Sequence, residues 1–171
     1  MSTVDHRAAL DKQLLSCITF AQPNSCRRVE LKIPDEVRRE VVVEAPRERV
    51  WRPITEADHL LRWFPDKIAQ IDLRPGGAIR FEWQDGGFDD GTVQVVEEPS
   101  RFVFRWHGAG SDSTETSVEF TLEAVEGGTR VLVVESGFSK LREEKRESAW
   151  HDNDGGWAKE LGELKAYLEA A

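Results

Sequence analysis

The sequence predicts an α+β fold in which a curved antiparallel sheet of six or seven strands wraps around a long C-terminal helix. Two patterns carry this prediction. Between residues 79 and 134, apolar and polar residues alternate, which is typical of strands that bury one face and expose the other. Between residues 150 and 169, apolar residues recur at helical spacing instead. The apolar face of the sheet needs a cover, and this amphipathic helix is the element that matches it.

The fold is expected to start with one strand and two short helices. Residues 37–44 read as a strand, and a helix follows over residues 46–54 with a proline in its first turn. Pro53 is expected to bend or end that helix, because proline lacks the N–H that a helix interior requires. Thr55 is expected to cap a second short helix over residues 56–63.

The main sheet is predicted from four alternating segments and one apolar run. The breaks between these segments contain Gly, Pro and Asp, the residues that tight turns favour. The run at residues 131–134 is apolar on both faces, so we expect it to be covered on both sides. The alternating segments lie at residues 79–83, 93–95, 102–106 and 118–122.

Four charged residues lie within the predicted strands, and most of them should face water. One that turns inward would need a partner and would be a candidate functional residue. The four are Arg80, Glu82, Arg105 and Glu135.

The final helix is predicted over about residues 150–169 from a single apolar stripe, with Asp154 placed to cap its start. The stripe consists of Trp157, Leu161, Leu164 and Leu168.

Residues 1–35 differ from the regular pattern that begins at residue 36. We therefore interpret the chain as an N-terminal extension over 1–35, partly ordered or flexible, followed by one domain over 36–171. Cys17 and Cys26 are expected to be free thiols. The N-terminus lacks the layout of a signal peptide and no apolar run approaches the roughly 20 residues of a membrane span, so a cytoplasmic location without a membrane partner is expected.

Charge and motif spacing argue against several classes of site. The formal net charge is −9, from 32 acidic and 23 basic residues, and such a surface repels phosphate backbones, so no nucleic-acid partner is expected. We expect neither a metal nor a cofactor, because the four His lie at no metal-ligand spacing and the acidic residues of one predicted turn read as a solvated hairpin tip. These residues are His6, His59, His107 and His151, and Asp85, Asp89 and Asp90.

A series of short motifs, in a fixed order, resembles the family homologous to the activator of the heat-shock protein 90 ATPase. The resemblance covers roughly residues 37–169, and its specificity lies in the order of the motifs. The motifs are VEAPRERVW (43–51), TEADHL (55–60), RWF (62–64), RPGG (74–77), GTV (91–93), FVFRW (102–106), GTR (128–130) and GW (156–157), with Leu161 and Leu164.

The family lies in the START-like, birch-pollen-allergen-like (SRPBCC) superfamily, so the resemblance implies a helix-grip fold with a hydrophobic ligand cavity. It implies no shared catalytic set, because members of the family differ in function.

Aromatic side chains are the strongest functional signal in the residues themselves. The chain contains six Trp and eight Phe, more than a minimal core of this size needs, so some are available for the wall of a cavity. His107 follows a predicted strand and is placed at the cavity mouth. The ligand-cavity candidates are Trp63, Phe64, Phe81, Trp83, Phe104, Trp106, His107, Phe120, Trp150 and Trp157, and no catalytic residue is assigned.

We therefore expect a binding module for an apolar or aromatic small molecule, held between the sheet and the C-terminal helix, rather than an enzyme. Two alternatives stay open: a co-chaperone-like protein-interaction module, and a cyclase- or hydrolase-type enzyme that uses polar residues of the cavity. Convergent polar groups in the cavity would favour the enzyme, and a filled interior with a large exposed patch would favour protein interaction. The sequence is compatible with a monomer or a homodimer.

Overall fold

A computed structural model of the chain describes residues 33–107 and 114–170. The expectations for Cys17 and Cys26, and for most of the 1–35 extension, fall outside these residues. The strands are β1 (Glu36–Val43), β2 (Ile68–Ile71), β3 (Ala78–Glu82), β4 (Phe88–Glu97), β5 (Arg101–Trp106), β6 (Thr116–Val125) and β7 (Gly128–Ser136). The helices are α1 (Arg47–Thr55), α2 (Ala57–Leu60) and α3 (Glu143–Glu169), and a single 3₁₀ turn (Phe138–Lys140) precedes α3.

The seven strands form one antiparallel sheet, in the order β1-β7-β6-β5-β4-β3-β2. From β2 to β7 each strand pairs with the next along the chain, as the turn residues between the alternating segments predict. The first strand instead pairs with the last, so α1 and α2 carry the chain from one edge of the sheet to the other. This confirms the predicted α+β architecture.

Alternation along each strand assigns its two faces. Along β7, every second residue is buried, and the intervening Leu132 and Val134 are half-buried. The second face of this strand is therefore only partly covered, in contrast to the prediction for residues 131–134. The inward face of β5 carries Phe102, Phe104 and Trp106, all buried.

The C-terminal helix packs its apolar stripe against the sheet, but it begins at Glu143, earlier than predicted. Asp154 therefore lies inside α3, where it pairs with Arg39 of β1 at 2.5 Å instead of capping the helix. Two glycines follow Asp154 and resemble a helix break in the sequence, yet the residues of α3 on either side of them pack on the sheet and keep the helix continuous. The buried stripe is Ala149, Trp157, Leu161, Leu164 and Leu168.

Two local predictions near the start of the domain need correction. The helix α2 is a single short turn, and Thr55 does not cap it, because Glu56 occupies the N-cap position and no side chain caps the helix there. The buried Thr55 hydroxyl instead donates to the carbonyl of Trp51 at 2.8 Å. The helix α1 contains Pro53 and ends two residues after it.

The strand β2 was not predicted, because four residues at a sheet edge are too short to establish an alternation.

Within residues 33–107 and 114–170, no helix combines the length and the apolarity that crossing a bilayer requires.

We expect Leu161→Ala to lower the free energy of unfolding by about 2–5 kcal/mol, because it removes a buried side chain from the seam between α3 and the sheet. Urea denaturation followed by circular dichroism measures the change. Glu163→Ala, an exposed position on the same helix, is the control and should change stability by less than about 0.5 kcal/mol. Equal effects of the two substitutions would contradict the packing described here.

Candidate functional site

An open cleft of about 400 Å³ lies between α3 and the β3–β4 side of the sheet. Gly156 faces it from α3, and the absence of a side chain there leaves the space open. Its aromatic lining residues are Phe64, Trp83, Phe88, Trp106 and Trp157, and its polar lining residues are Asp85, Asp89, Asn153 and Glu160. The cleft is thus aromatic in its walls and acidic in its polar groups.

Phe64 is the centre of the aromatic wall. Its ring stacks on that of Trp157, with centroids 5.6 Å apart and planes 10° apart. The ring of Trp83 meets it edge-on at 5.8 Å, and that of Trp106 lies 6.1 Å away. Because these rings come from the segment after α2, from the end of β3, from β5 and from α3, the wall forms only when all four segments are in place.

Gly91 permits the close strand approach beside Trp106. The two residues are directly opposite each other in the β4–β5 pair. A Cβ atom at residue 91 would lie 2.2 Å from the carbonyl oxygen of Arg105, closer than any side chain allows. The glycine of the GTV motif therefore has a steric role at the edge of the cleft.

A buried carboxyl group, that of Glu135 on β7, lies behind this wall and is fully shielded from solvent. Its Oε1 accepts hydrogen bonds from Trp106 Nε1 at 3.0 Å, Thr116 Oγ1 at 2.5 Å and Asn153 Nδ2 at 3.2 Å. Its Oε2 accepts from Trp157 Nε1 at 2.7 Å. One carboxyl group therefore joins β5, β6 and β7 to α3 and orients both indole rings that line the cleft.

Burial raises the pKa of Glu135, because desolvation disfavours the charged form, and the hydrogen bonds from Thr116, Trp157 and Trp106 offset part of this effect. The side chains that donate to its oxygens are two indoles, a hydroxyl and an amide, all of them neutral. The carboxyl is thus satisfied by neutral donors, which places it among the buried polar groups that fix a single arrangement of their surroundings.

Two carboxyl groups in the cleft itself also have raised pKa values. Burial raises the pKa of Asp89 to about 6, with a further contribution from the charge of Glu135 and an opposing one from His107. Burial likewise raises the pKa of Glu160, although the neighbouring Lys159 opposes the shift. Glu160 Oε1 accepts from Lys159 Nζ at 3.0 Å, whereas its Oε2 is buried without a hydrogen-bond partner among the described residues.

The sequence-predicted candidates occupy three kinds of position. Four line the cleft: Phe64, Trp83, Trp106 and Trp157. Three are core side chains, buried in the main apolar cluster: Phe81, Phe104 and Phe120. The other three form polar contacts outside the cleft lining. The Trp63 indole donates to the Pro53 carbonyl at 2.8 Å, and the Trp150 indole donates to the Glu36 carbonyl at 2.9 Å. His107 is half-buried, with its Nε2 4.0 Å from Glu115 Oε1.

The sequence neighbourhood of Asp89 predicts that it belongs to a solvated hairpin tip. The structure places it elsewhere. It lies within β4 opposite Phe81, on the face that carries Gly91 and Val93. The signal that could have placed it there is the period of two, which relates residues 89, 91 and 93. The same period relates Glu135 to Val131 and Val133 on β7, so Glu135 is the charged strand residue that turns inward.

The chain matches the model of a known protein family. The family model described as Activator of Hsp90 ATPase homolog 1-like protein matches residues 44–169. A search of curated proteins found no match.

Several solved structures share the fold. Protein MLL2253 from Mesorhizobium loti is 23% identical with a TM-score of 0.70, and the alignment covers 80% of this chain and 98% of that one. The Aha1 dimer from Colwellia psychrerythraea is 24% identical with a TM-score of 0.66, over 78% of this chain and 96% of that one. DynU16, described as a putative protein in the dynemicin biosynthetic locus, is 27% identical with a TM-score of 0.65, over 80% of this chain and 48% of that one.

We expect Glu135→Ala to lower the free energy of unfolding by at least about 2 kcal/mol, because it leaves the buried indole N–H of Trp157 without its acceptor. The indole N–H of Trp106 would keep only its hydrogen bond to the Thr116 hydroxyl, at 3.0 Å. Chemical denaturation measures the loss. Glu119→Ala is the matched control, since Glu119 lies on the adjacent strand and pairs with Arg101 on the wetter face; its loss should be about 1 kcal/mol or less. An equal or larger loss at Glu119 would contradict the role given to Glu135.

A second prediction concerns pH. A carboxyl group whose pKa is raised on folding binds a proton more tightly in the folded state, so its contribution to stability falls as pH rises between its two pKa values. For Asp89 that window runs from 3.8 to about 6. The stability of Asp89→Asn relative to the parent should therefore increase as pH rises through this window, as measured by denaturation at a series of pH values. A difference that stays constant with pH would show that Asp89 is not desolvated.

Proposed function

This chain belongs to the Activator of Hsp90 ATPase homolog 1-like family, and on that premise we propose that it is a binding module for a small aromatic or apolar molecule. The ligand is held in the cleft between α3 and the β3–β4 side of the sheet. The observation that carries the proposal is that this cleft, with a volume of about 400 Å³ and walls of Phe64, Trp83, Trp106 and Trp157, is not filled by the protein's own side chains.

The size and the lining of the cleft support this function. Small-molecule sites are concave, lie mostly between about 300 and 1,000 Å³, and combine apolar walls with a few placed polar groups. The flat rings of the wall favour a flat ligand, since offset and edge-on ring contacts add about 0.5–1.5 kcal/mol each to the burial of apolar area. The polar groups that can orient such a ligand come from both sides of the cleft: Asp85 and Asp89 from the β3–β4 side, and Asn153 and Glu160 from α3.

The wall is also preorganised. Trp106 and Trp157 are each held by a hydrogen bond from the indole to Glu135, at 3.0 and 2.7 Å. A ligand that enters therefore does not need to order these two rings, which lowers the entropic cost of binding.

A catalytic function is the second candidate, and Asp89 is the residue that favours it. The pKa of its carboxyl is raised to about 6, mainly by burial, and an acid of that strength in a cleft can exchange protons near neutral pH. Glu135 does not fit the same role, because it is fully buried and both of its oxygens already accept hydrogen bonds. Catalysis would thus depend on Asp89 acting on a ligand bound as described above.

We also propose an assembly state and a cellular location for the chain. The related structure from Colwellia psychrerythraea is a dimer, and a homodimer is accordingly proposed as one state of this chain beside the monomer. A cytoplasmic location is proposed from the sequence pattern alone.

We expect N-phenyl-1-naphthylamine, a neutral fluorescent probe, to bind the native protein with micromolar affinity and to change its Trp emission. Trp83→Ala should weaken this binding about tenfold, since it removes one aromatic wall. Trp150→Ala is the matched control, because Trp150 lies on α3, donates to the Glu36 carbonyl and is not among the cleft residues. Absence of saturable binding in the parent, or equal weakening by both substitutions, would contradict the proposed site.

A further inference from the structure

We infer that the ligand of this cleft is an organic cation, a protonated amine carried on an aromatic or apolar body. The inference rests on the proposed function and names the chemical class that the site selects. It follows from what the polar groups of the cleft offer, from where the hydrogen-bond donors of its walls point, and from the aromatic rings around them.

The ionisable side chains that line the cleft all carry the same sign of charge. They are Asp85, Asp89 and Glu160, and no Lys, Arg or His is among the described lining residues. Carboxylate groups accept hydrogen bonds and attract positive charge. An anionic ligand would be repelled by all three. A neutral ligand without hydrogen-bond donors would leave Glu160 Oε2 unpaired, although Glu160 Oε1 keeps its hydrogen bond from Lys159.

The donors that could have balanced these acceptors are used elsewhere. The indole N–H groups of Trp106 and Trp157 and the side-chain amide of Asn153 all donate to Glu135. The donors of these three lining residues are thus hydrogen-bonded to the buried Glu135 carboxyl group. The ligand must therefore bring its own donors if the carboxylates are to be satisfied.

Two of the carboxylates lack a full set of partners in the described part of the chain. Glu160 Oε2 is buried and has no hydrogen-bond partner, and no ion pair joins Asp89 to a described basic side chain, although its neighbour Asp90 pairs with Arg80. A buried acceptor without a partner is costly. A ligand ammonium group in the cleft would donate to these acceptors. It would add to the positive charge of Lys159, an exposed side chain whose Nζ lies 3.0 Å from Glu160 Oε1.

The aromatic wall distinguishes an organic cation from a metal ion. No group of three or more His, Cys, Asp or Glu converges as a metal site within residues 33–107 and 114–170. Aromatic faces attract ammonium groups through the ring quadrupole, and several rings around one cation form the recognised cage for such ligands. Phe64, Trp83, Trp106 and Trp157 line this cleft.

Three probes with the same ring system test the inference: 1-naphthylmethylamine, which is a cation at about pH 8, 1-naphthylmethanol, which is neutral, and 1-naphthoate, which is an anion. We expect the amine to bind about tenfold more tightly than the alcohol, and the carboxylate to bind least. Added salt should reduce the preference for the amine, because ions screen the partly exposed charges.

The variant Asp89→Asn/Glu160→Gln should bring the ratio of amine to alcohol affinity close to one. The matched control is Asp90→Asn/Glu163→Gln, which removes the same charges from exposed positions on the same strand and helix and should keep the ratio. Circular dichroism verifies that both variants fold. If the Asp89→Asn/Glu160→Gln variant does not fold, the ratio of amine to alcohol affinity in the parent protein still tests whether the cleft prefers a cation.

The outcomes separate the two levels of the proposal. Equal binding of amine and alcohol, or tighter binding of the carboxylate, would overturn the cation inference and leave the aromatic binding site standing. Failure of all three probes and of N-phenyl-1-naphthylamine would overturn the proposed function itself, and the cation inference with it. A preference for the amine that survives in the double variant would show that other groups recognise the charge.

Discussion

The buried carboxyl group of Glu135 is the interaction on which the rest of the structure depends. A carboxyl group loses its hydration on burial, and only a nearly complete set of hydrogen bonds compensates for that loss. Here the donors come from β5, β6 and α3, through Trp106, Thr116, Asn153 and Trp157. The hydrogen bonds fix how α3 lies on the sheet at one end of its apolar stripe, whereas Leu161, Leu164 and Leu168 do so by packing at the other.

This constraint determines what the cleft can offer a ligand. The indole rings of Trp106 and Trp157 are held by their N–H groups, so they present apolar ring surface to the cleft and keep no donor for a ligand. Phe64 stacks on one of these rings and completes a wall whose parts come from four segments of the chain. The remaining polar character is that of carboxyl groups, above all Asp89 and Glu160, whose desolvation raises their pKa values. A rigid aromatic wall with unpaired acceptors favours a flat ligand that carries hydrogen-bond donors.

Much of the fold could be predicted from the sequence, because alternation and helical spacing are local patterns that directly report which face is buried. The inward row of Phe102, Phe104 and Trp106 and the stripe of Trp157, Leu161 and Leu164 follow from spacing alone. The site could be predicted only in part. The period of two along β7 is the only sequence signal that turns Glu135 inward, and its hydrogen-bond partners lie 18 to 29 residues away in sequence. The early start of α3 was hidden by Gly155 and Gly156, since tertiary packing outweighed their low helix propensity.

The indole N–H signals of the six Trp residues, followed in a ¹H–¹⁵N NMR titration with N-phenyl-1-naphthylamine, test most directly whether the aromatic cleft binds a ligand. Trp83, Trp106 and Trp157 line the cleft, whereas Trp51, Trp63 and Trp150 do not, so the chain contains its own controls. We expect the probe to shift the first three signals in a saturable manner and to leave the other three unchanged. Shifts confined to Trp51, Trp63 or Trp150, or no shift of any indole signal at high probe concentration, would contradict this expectation.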